Sequence, residues 1–258
     1  MAGPFWGRKL APALLAPALI VLVGGCSQLS ELRQRRAEDR TLEAVAQRMK
    51  ALERIEGGGR FEVQSGEAAF DLPFVMRFGR GGLLQVDAEI SDGPWSGVGR
   101  MRLMSDATAT EVLVSAGPGT PGGRAEIPWA DSLGLVLRPL LLSVFGGGDM
   151  LVRWMLANRC EPVREGRCAG VEISLRMNLE RGSVERWTIR DPARRVSFTG
   201  FVHSWSHTGP FPRVVTGMIH PYEVGISIEF NEIGLARPGI DEGKSGLAGN
   251  LGGGLWFQ

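Results

Sequence analysis

Histidine and cysteine are scarce in this chain, three of each in 258 residues. A metal centre built from so few ligands needs them clustered, and they are not. His203 and His207, in His-Ser-Trp-Ser-His, have a spacing that two ligands use on a helix, but Gly and Pro bound the segment as a loop and no third ligand lies near. His220, before Pro221 at the end of a strand-like run, reads as a surface or packing residue. Charge of one sign is also lacking: 29 basic against 28 acidic residues leave a net of +1, which gives a polyanion nothing to grip and excludes nucleic acid as a partner. No Gly-x-Ser-x-Gly elbow occurs. Gly243-Lys244-Ser245 has the ending of a phosphate-binding loop, yet Pro238 stands where the first glycine belongs and no helix follows. Acid, base, nucleophile and oxyanion donors converge nowhere, so no enzyme activity, cofactor or metal is expected.

What is present begins at the N-terminus. A basic start, Arg8 and Lys9, leads into the apolar run Leu10 to Val23 and then Val23-Gly24-Gly25-Cys26. An aliphatic residue three positions before the cysteine, with two small residues between, resembles the signal sequence and lipobox of a bacterial lipoprotein. Spanning a bilayer takes about 20 apolar residues, so the run reads as a removable export signal, with an uncleaved anchor helix as the alternative. The resemblance implies that Cys26 becomes the first residue and carries lipid. Ser27, rather than Asp, then implies sorting to the outer membrane, where the protein is lipid-anchored and faces the periplasm. Removing residues 1–25, which carry two basic and no acidic residues, leaves 233 residues with 27 basic and 28 acidic. One acyl chain holds a protein marginally and two or three hold it firmly.

The other two cysteines, Cys160 and Cys168, flank Glu-Pro-Val-Arg-Glu-Gly-Arg. An even remainder in an exported protein suits a disulfide across this polar turn; two free thiols are the alternative.

Residues 26–39 are polar and charged, which suits a tether. From Arg40 to Arg54 an amphipathic helix is expected, since the apolar residues Leu42, Val45, Ala46, Met49, Leu52 and Ile55 recur at helical steps, and Gly57-Gly58-Gly59 reads as the stop. Alternating strands follow. In Leu83–Ser91 the residues Leu84, Val86, Ala88 and Ile90 share one face, with Asp87 and Glu89 on the wet side. The same pattern runs through 60–65, 68–78, 98–105 and 110–116, with turn residues between them, and joins the strands into an antiparallel meander. Trp129 to Asn158 breaks the series with a dense Leu content; Asp131 reads as an N-cap and Gly146-Gly147-Gly148 as a break between two short helices. Helices apolar on nearly every side need cover on nearly every side, and the concave face of a sheet supplies it. The meander resumes in 171–179, 184–190, 194–201, 214–220 and 223–230. Residues 238–258 read as a flexible Gly-rich tail.

One helix, about five strands, two apolar helices and about five more strands make a mainly β chain. The residues Leu42 to Ile55 leading into Gly59-Arg60-Phe61-Glu62-Val63, the helices Leu133 to Leu156, the segment Val184 to Phe198, and Phe211-Pro212-Arg213 with Val224 to Phe230 together resemble the LolA/LolB superfamily of lipoprotein carriers and receptors. The resemblance implies a curved antiparallel half-barrel of about ten strands over residues 40–237. It also implies a hydrophobic cavity for lipid or acylated protein, lined by Val86, Ala88, Ile90, Val112, Val114, Leu137, Leu141, Met155, Ile173, Leu175 and Phe198. Any one of these residues suits a filled core better than a cavity wall, and a filled core would make the chain an accessory lipoprotein docking on other envelope proteins. Gly93-Pro94-Trp95 is an apolar turn tip suited to membrane insertion. Arg186, Arg190, Arg194 and Arg195 suggest a basic patch near the sheet rim.

Overall fold

The structure, a computed structural model, describes residues 11–66, 68–79, 83–89, 98–105, 110–116, 123–124, 133–207 and 211–235; for 11–29, 68, 70, 89, 98–101, 110–116 and 123–124 it describes the backbone alone. A long helix, α1 (Ala11–Ala51), precedes β1 (Ile55–Ser65), β2 (Ala68–Phe78), β3 (Leu84–Glu89), β4 (Val98–Ser105), β5 (Thr110–Ala116) and β6 (Gly123–Arg124). A 3-10 turn at Gly134–Val136 opens α2 (Leu137–Gly146), and α3 (Gly148–Ala157) follows at once. The chain then returns to strands: β7 (Glu165–Cys168), β8 (Val171–Asn178), β9 (Ser183–Asp191), β10 (Val196–Trp205), β11 (Pro212–His220) and β12 (Val224–Leu235).

The strands form one antiparallel sheet in the order β6-β5-β4-β3-β2-β1-β12-β11-β10-β9-β8-β7. Every neighbour but one is also a sequence neighbour. The exception, β1 with β12, stitches two meanders into a single sheet. The chain therefore leaves at the β6 edge and re-enters at the β7 edge, and α2 and α3 lie on that crossing. Nine of the ten residues of α2 are buried, all but Arg138. A flat sheet covers only one side of a helix. Burial this complete requires a sheet that curls around α2 and α3, with α1 packed against α3, β8 and β9. This is the half-barrel around helices that the LolA/LolB resemblance implies.

Local sequence explains the fit. The inward stripe of α1 is Glu38, Leu42, Val45, Ala46, Met49 and Leu52, all buried. Residues 30–35 are helical and exposed, so the helix continues through the stretch that reads as a tether, and docking begins at Glu38. There Arg164 holds Glu38 at 2.5 Å and Asp39 at 2.8 Å. At the other end of α1, Arg153 donates to the carbonyls of Met49 and Leu52 and lies 4.7 Å from the Phe78 ring centre, closing the helix ahead of the glycine run. An aromatic cluster ties the layers together: Phe145 of α2 sits 5.4 Å from Phe61 of β1 and 5.3 Å from Phe74 of β2, and Phe74 sits 5.8 Å from Phe230 of β12. A disulfide joins Cys160 and Cys168, with Cα atoms 5.7 Å apart, and binds the exit of α3 to the edge strand β7.

Three expectations change. Gly57-Gly58-Gly59 does not stop the helix; it forms the start of β1, five residues earlier than the alternation suggests. The reason is close backbone approach. A Cβ on Gly59 would lie 2.0 Å from the Glu229 carbonyl oxygen, at the point where the β1–β12 register shifts. His203 lies on β10 rather than in a loop, edge-on to Phe201 at 4.3 Å. Finally, β12 runs five residues past Phe230, to Leu235, because it pairs with the early start of β1. Asp131, Ile90, Gly93-Pro94-Trp95 and residues 238–258 lie outside the described residues.

Because Gly59 admits no side chain against β12, Gly59→Ala should destabilise the protein by about 1–3 kcal/mol through overpacking. Thermal unfolding should show a Tm several degrees lower, with Gly79→Ala, where a Cβ meets nothing within 4 Å, as the unchanged control. Equal Tm values for the two would contradict this role of the glycine.

Candidate functional site

Strand register brings several chain segments to one end of the half-barrel. Ile55 pairs with Leu235 and with Phe78, and Trp205 pairs with Pro212. The β8–β9 turn, where Asn178 pairs with Ser183, lies at the same end. Here the packing between helices and sheet opens into a cavity of about 480 Å³. The end of α1 and the residue after it supply Met49, Ala51 and Leu52; the α2–α3 junction supplies Gly146, Gly147, Gly148 and Met150; the sheet supplies Val184, Val202, Trp205, Pro212 and Leu235, with Phe211 just ahead of β11.

Glycine makes this space. Gly147 has φ of 77°, the left-handed region, which breaks one helix and starts the next without a side chain in the way. A Cβ at Gly148 would lie 2.4 Å from Val184 Cγ1 and 2.8 Å from the buried Trp187 ring. Without side chains at the junction, two helix ends meet the sheet closely on one side and leave the mouth unfilled on the other.

The wall is mostly apolar; its charged members are Glu53 and Arg54, just past the end of α1, and the pair Arg48 and Asp149. Asp149, in the first turn of α3, accepts from the Val184 backbone N–H at 2.8 Å and pairs with Arg48 of α1 at 2.5 Å. Arg48 also donates to the Gly182 carbonyl at 3.0 Å and to Ser183 Oγ at 3.1 Å, while its Nε is buried without a hydrogen bond. This clamp fastens α1, α3 and the start of β9 around the mouth. Burial pushes the Asp149 carboxyl above the ordinary carboxylate range; the Val184 N–H, Arg48 and Ser183 pull the other way without cancelling it.

The residues predicted to line a ligand site do not border this cavity. Val86, Ala88, Leu137, Leu141, Met155, Ile173, Leu175 and Phe198 belong to one continuous buried core, each at most 7% exposed, and none borders the cavity. Val112 and Val114 lie on β5, their side chains outside the described residues, as is the side chain of Cys26 on α1. Alternation marks the inward face of a strand, and on this sheet that face is filled by α2 and α3. The residues that do line the cavity sit at element ends, and the one signal for them is the Gly146–Gly148 run, which reads simply as a helix break. Two of the basic residues near the rim have acidic partners: Arg194 binds Asp191 at 3.1 Å and Arg190 stands 4.0 Å from Glu172. Arg186 borders a second hollow of about 470 Å³ on the outer face, together with Glu62, Gln64, Thr199, Thr216 and Ser227. Among the described residues no helix is long and apolar enough to cross a membrane.

No family model and no curated protein matches the sequence. Solved structures do resemble it. A DUF1329 family protein from Desulfovibrio piger superposes with a TM-score of 0.49 at 10% identity, covering 81% of this chain and 95% of that one. A putative outer membrane lipoprotein-sorting protein domain from Vibrio parahaemolyticus gives 0.47 at 10% identity, over 79% of this chain and 95% of the other. A LolA superfamily protein from Nitrosomonas europaea gives 0.44 at 8% identity, over 78% and 94%.

Asp149→Ala removes the acceptor for both Arg48 and the Val184 N–H, so it should cost about 1.5–3 kcal/mol, the range for hydrogen bonds to charged groups. Because the folded chain holds the Asp149 proton more tightly than the unfolded chain, its contribution falls as pH rises from about 4 through the raised value. Urea midpoints measured against pH should show that slope in the wild type and lose it in Asp149→Asn. A wild-type profile rising with pH over that window, relative to Asp149→Asn, would contradict the burial argument.

Proposed function

We propose that this protein is an envelope lipoprotein, anchored to the outer membrane through lipid on Cys26, that holds a lipid or lipoprotein acyl chain in the end cavity of its half-barrel. The observation that carries the reading is the apolar cavity bounded by α1, the α2–α3 junction and β9 to β12. Its volume falls in the range of about 300–1,000 Å³ common to small-molecule sites. Eight to ten buried methylenes contribute about 6–8 kcal/mol, equivalent to a dissociation constant of about 1–40 μM before the costs of association weaken it. Binding of that strength suits a ligand that is handed on rather than kept.

The packed core at Val86, Ile173 and their neighbours favours a second reading for the rest of the concavity, a filled scaffold that docks on other envelope proteins. The two readings differ in what enters the mouth. A fluorescent medium-chain fatty acid should bind the wild type, and Ala51→Phe, at an exposed helix position on the cavity wall, should weaken it at least tenfold with an unchanged circular dichroism spectrum. Binding that is absent, or that survives Ala51→Phe unaltered, supports the scaffold instead. For the anchor, mass spectrometry of protein expressed in a Gram-negative host should find acylated Cys26, and Cys26→Ser should move the chain from the membrane to the soluble fraction. An unacylated mature chain would overturn that part of the proposal.

A further inference from the structure

The hollow of about 470 Å³ on the outer face of the sheet is built by strand register. Trp187, Val202, Val215 and Ile228 are buried against the helices, so the residues next to them along each strand point outward. Arg186 of β9 stands opposite Phe201 of β10, Phe201 opposite Thr216 of β11, Thr216 opposite Ser227 of β12, and Ser227 opposite Glu62 of β1. These residues form one row across neighbouring strands, and every one of them borders the hollow. Four strand spacings make the row about 19 Å long at the backbone. Its middle is low because Thr216 and Ser227 are short and because Gly225, beside them, has no side chain; a Cβ there would meet nothing closer than 3.8 Å. At the β9 end Arg176 of β8 stands directly opposite Arg186. Both are exposed, and among the described residues no acidic partner neutralises either. Like charges facing each other across a strand pair are destabilising. An anion between them reverses that sign.

We propose that this hollow binds an acidic oligosaccharide, its acidic group held by Arg176 and Arg186 and its sugar rings lying along Phe201, Thr216 and Ser227 toward Glu62. Guanidinium groups hold carboxylate or phosphate through paired N–H donors. Sugar hydroxyls both donate and accept, and the row answers both needs: Thr216 and Ser227 do either, and the Glu62 carboxylate accepts. The half-buried Phe201 ring suits the C–H face of a sugar, since a ring face is negative and C–H bonds are weakly positive. Other ligand classes fit poorly. An acyl chain gains little in an open, hydroxyl-lined hollow. A peptide strand needs a free sheet edge, whereas β9 to β12 and β1 are interior strands whose backbones pair on both sides. A polyanion long enough to fill the row would meet Glu62 at its far end.

The site is separate from the end cavity and does not depend on the acyl-binding reading. The test uses the full chain with Cys26→Ser, so that no acyl group of its own holds it to a vesicle. Ligand-observed NMR titrations compare trigalacturonate, a phosphorylated glucosamine disaccharide and neutral maltotriose. At least one acidic sugar should bind, with a dissociation constant on the order of 0.1–1 mM for so open a site, and maltotriose should bind at least tenfold more weakly. Arg186→Glu and Thr216→Phe, which fills the middle of the row from an outward position, should each weaken the acidic sugar at least tenfold with an unchanged circular dichroism spectrum. Arg186→Lys, which keeps the charge, should lose less than Arg186→Glu, and Ala51→Phe, which fills the other cavity, should lose nothing. Failure of both acidic sugars to bind overturns the proposal. So does maltotriose binding as tightly as they do, or binding that survives both Arg186→Glu and Thr216→Phe. Anionic phosphatidylglycerol vesicles that bind through Arg186 while the sugars do not also overturn it, and make this face a membrane contact instead.

Discussion

The rest of the structure depends on the covering of two helices that are apolar almost all round. Leu137, Leu140, Leu141, Leu142, Val144 and Phe145 of α2, with Leu151, Val152, Trp154 and Met155 of α3, are all buried. Each fully buried large side chain contributes about 1.5–3 kcal/mol. Left against a flat sheet, half of that would be forgone. A curled antiparallel sheet of alternating strands recovers it, and the chain path is its consequence: one meander, the helices, the second meander, and β1 beside β12 as the seam. The Phe61, Phe74, Phe145 and Phe230 rings meet where α2 crosses that seam. Hydrophobic cover is not directional, so the seam also sets the strand register through close backbone contact at Gly59.

The cavity is where that covering fails. Helix ends cannot fill space as helix middles do, and the α2–α3 junction adds three glycines at the same place. Beside it sits the Arg48–Asp149 clamp, a polar fastening whose partners come from α1, α3 and the start of β9. Its hydrogen bonds tie the three elements together at the mouth, while most of the wall around it is apolar. A packed interior and a hollow end thus come from the same two helices, the first from their side chains and the second from the junction between them.

Much of the fold was legible in the sequence because it is periodic. The stripe from Leu42 to Leu52, the alternation of Leu84, Val86 and Ala88, and that of Val171, Ile173, Leu175 and Met177 each mark a buried face, and each is buried. The density of leucine from 133 to 156 likewise marks helices inside the sheet. Non-periodic features were hidden. Gly57-Gly58-Gly59 carries no pattern, so its role as a strand start shows only through its contact with β12. The edge strands β6 and β7, of two and four residues, are too short to alternate visibly. The residues expected to line a site and those that border the cavity differ because alternation reports which way a side chain faces, not whether the space it faces is filled. The clamp joins residues 101 positions apart, a separation at which sequence spacing says nothing.

On the proposed function, an acyl ligand enters at the junction end and leaves the packed concavity alone. Methyl-resolved NMR of the protein titrated with decanoate tests it most directly. The account predicts shifts at Met49, Leu52, Met150, Val184, Val202 and Leu235, with Val86, Ile173 and Leu175 unmoved. Shifts spread over the strand positions with none at the junction would contradict it.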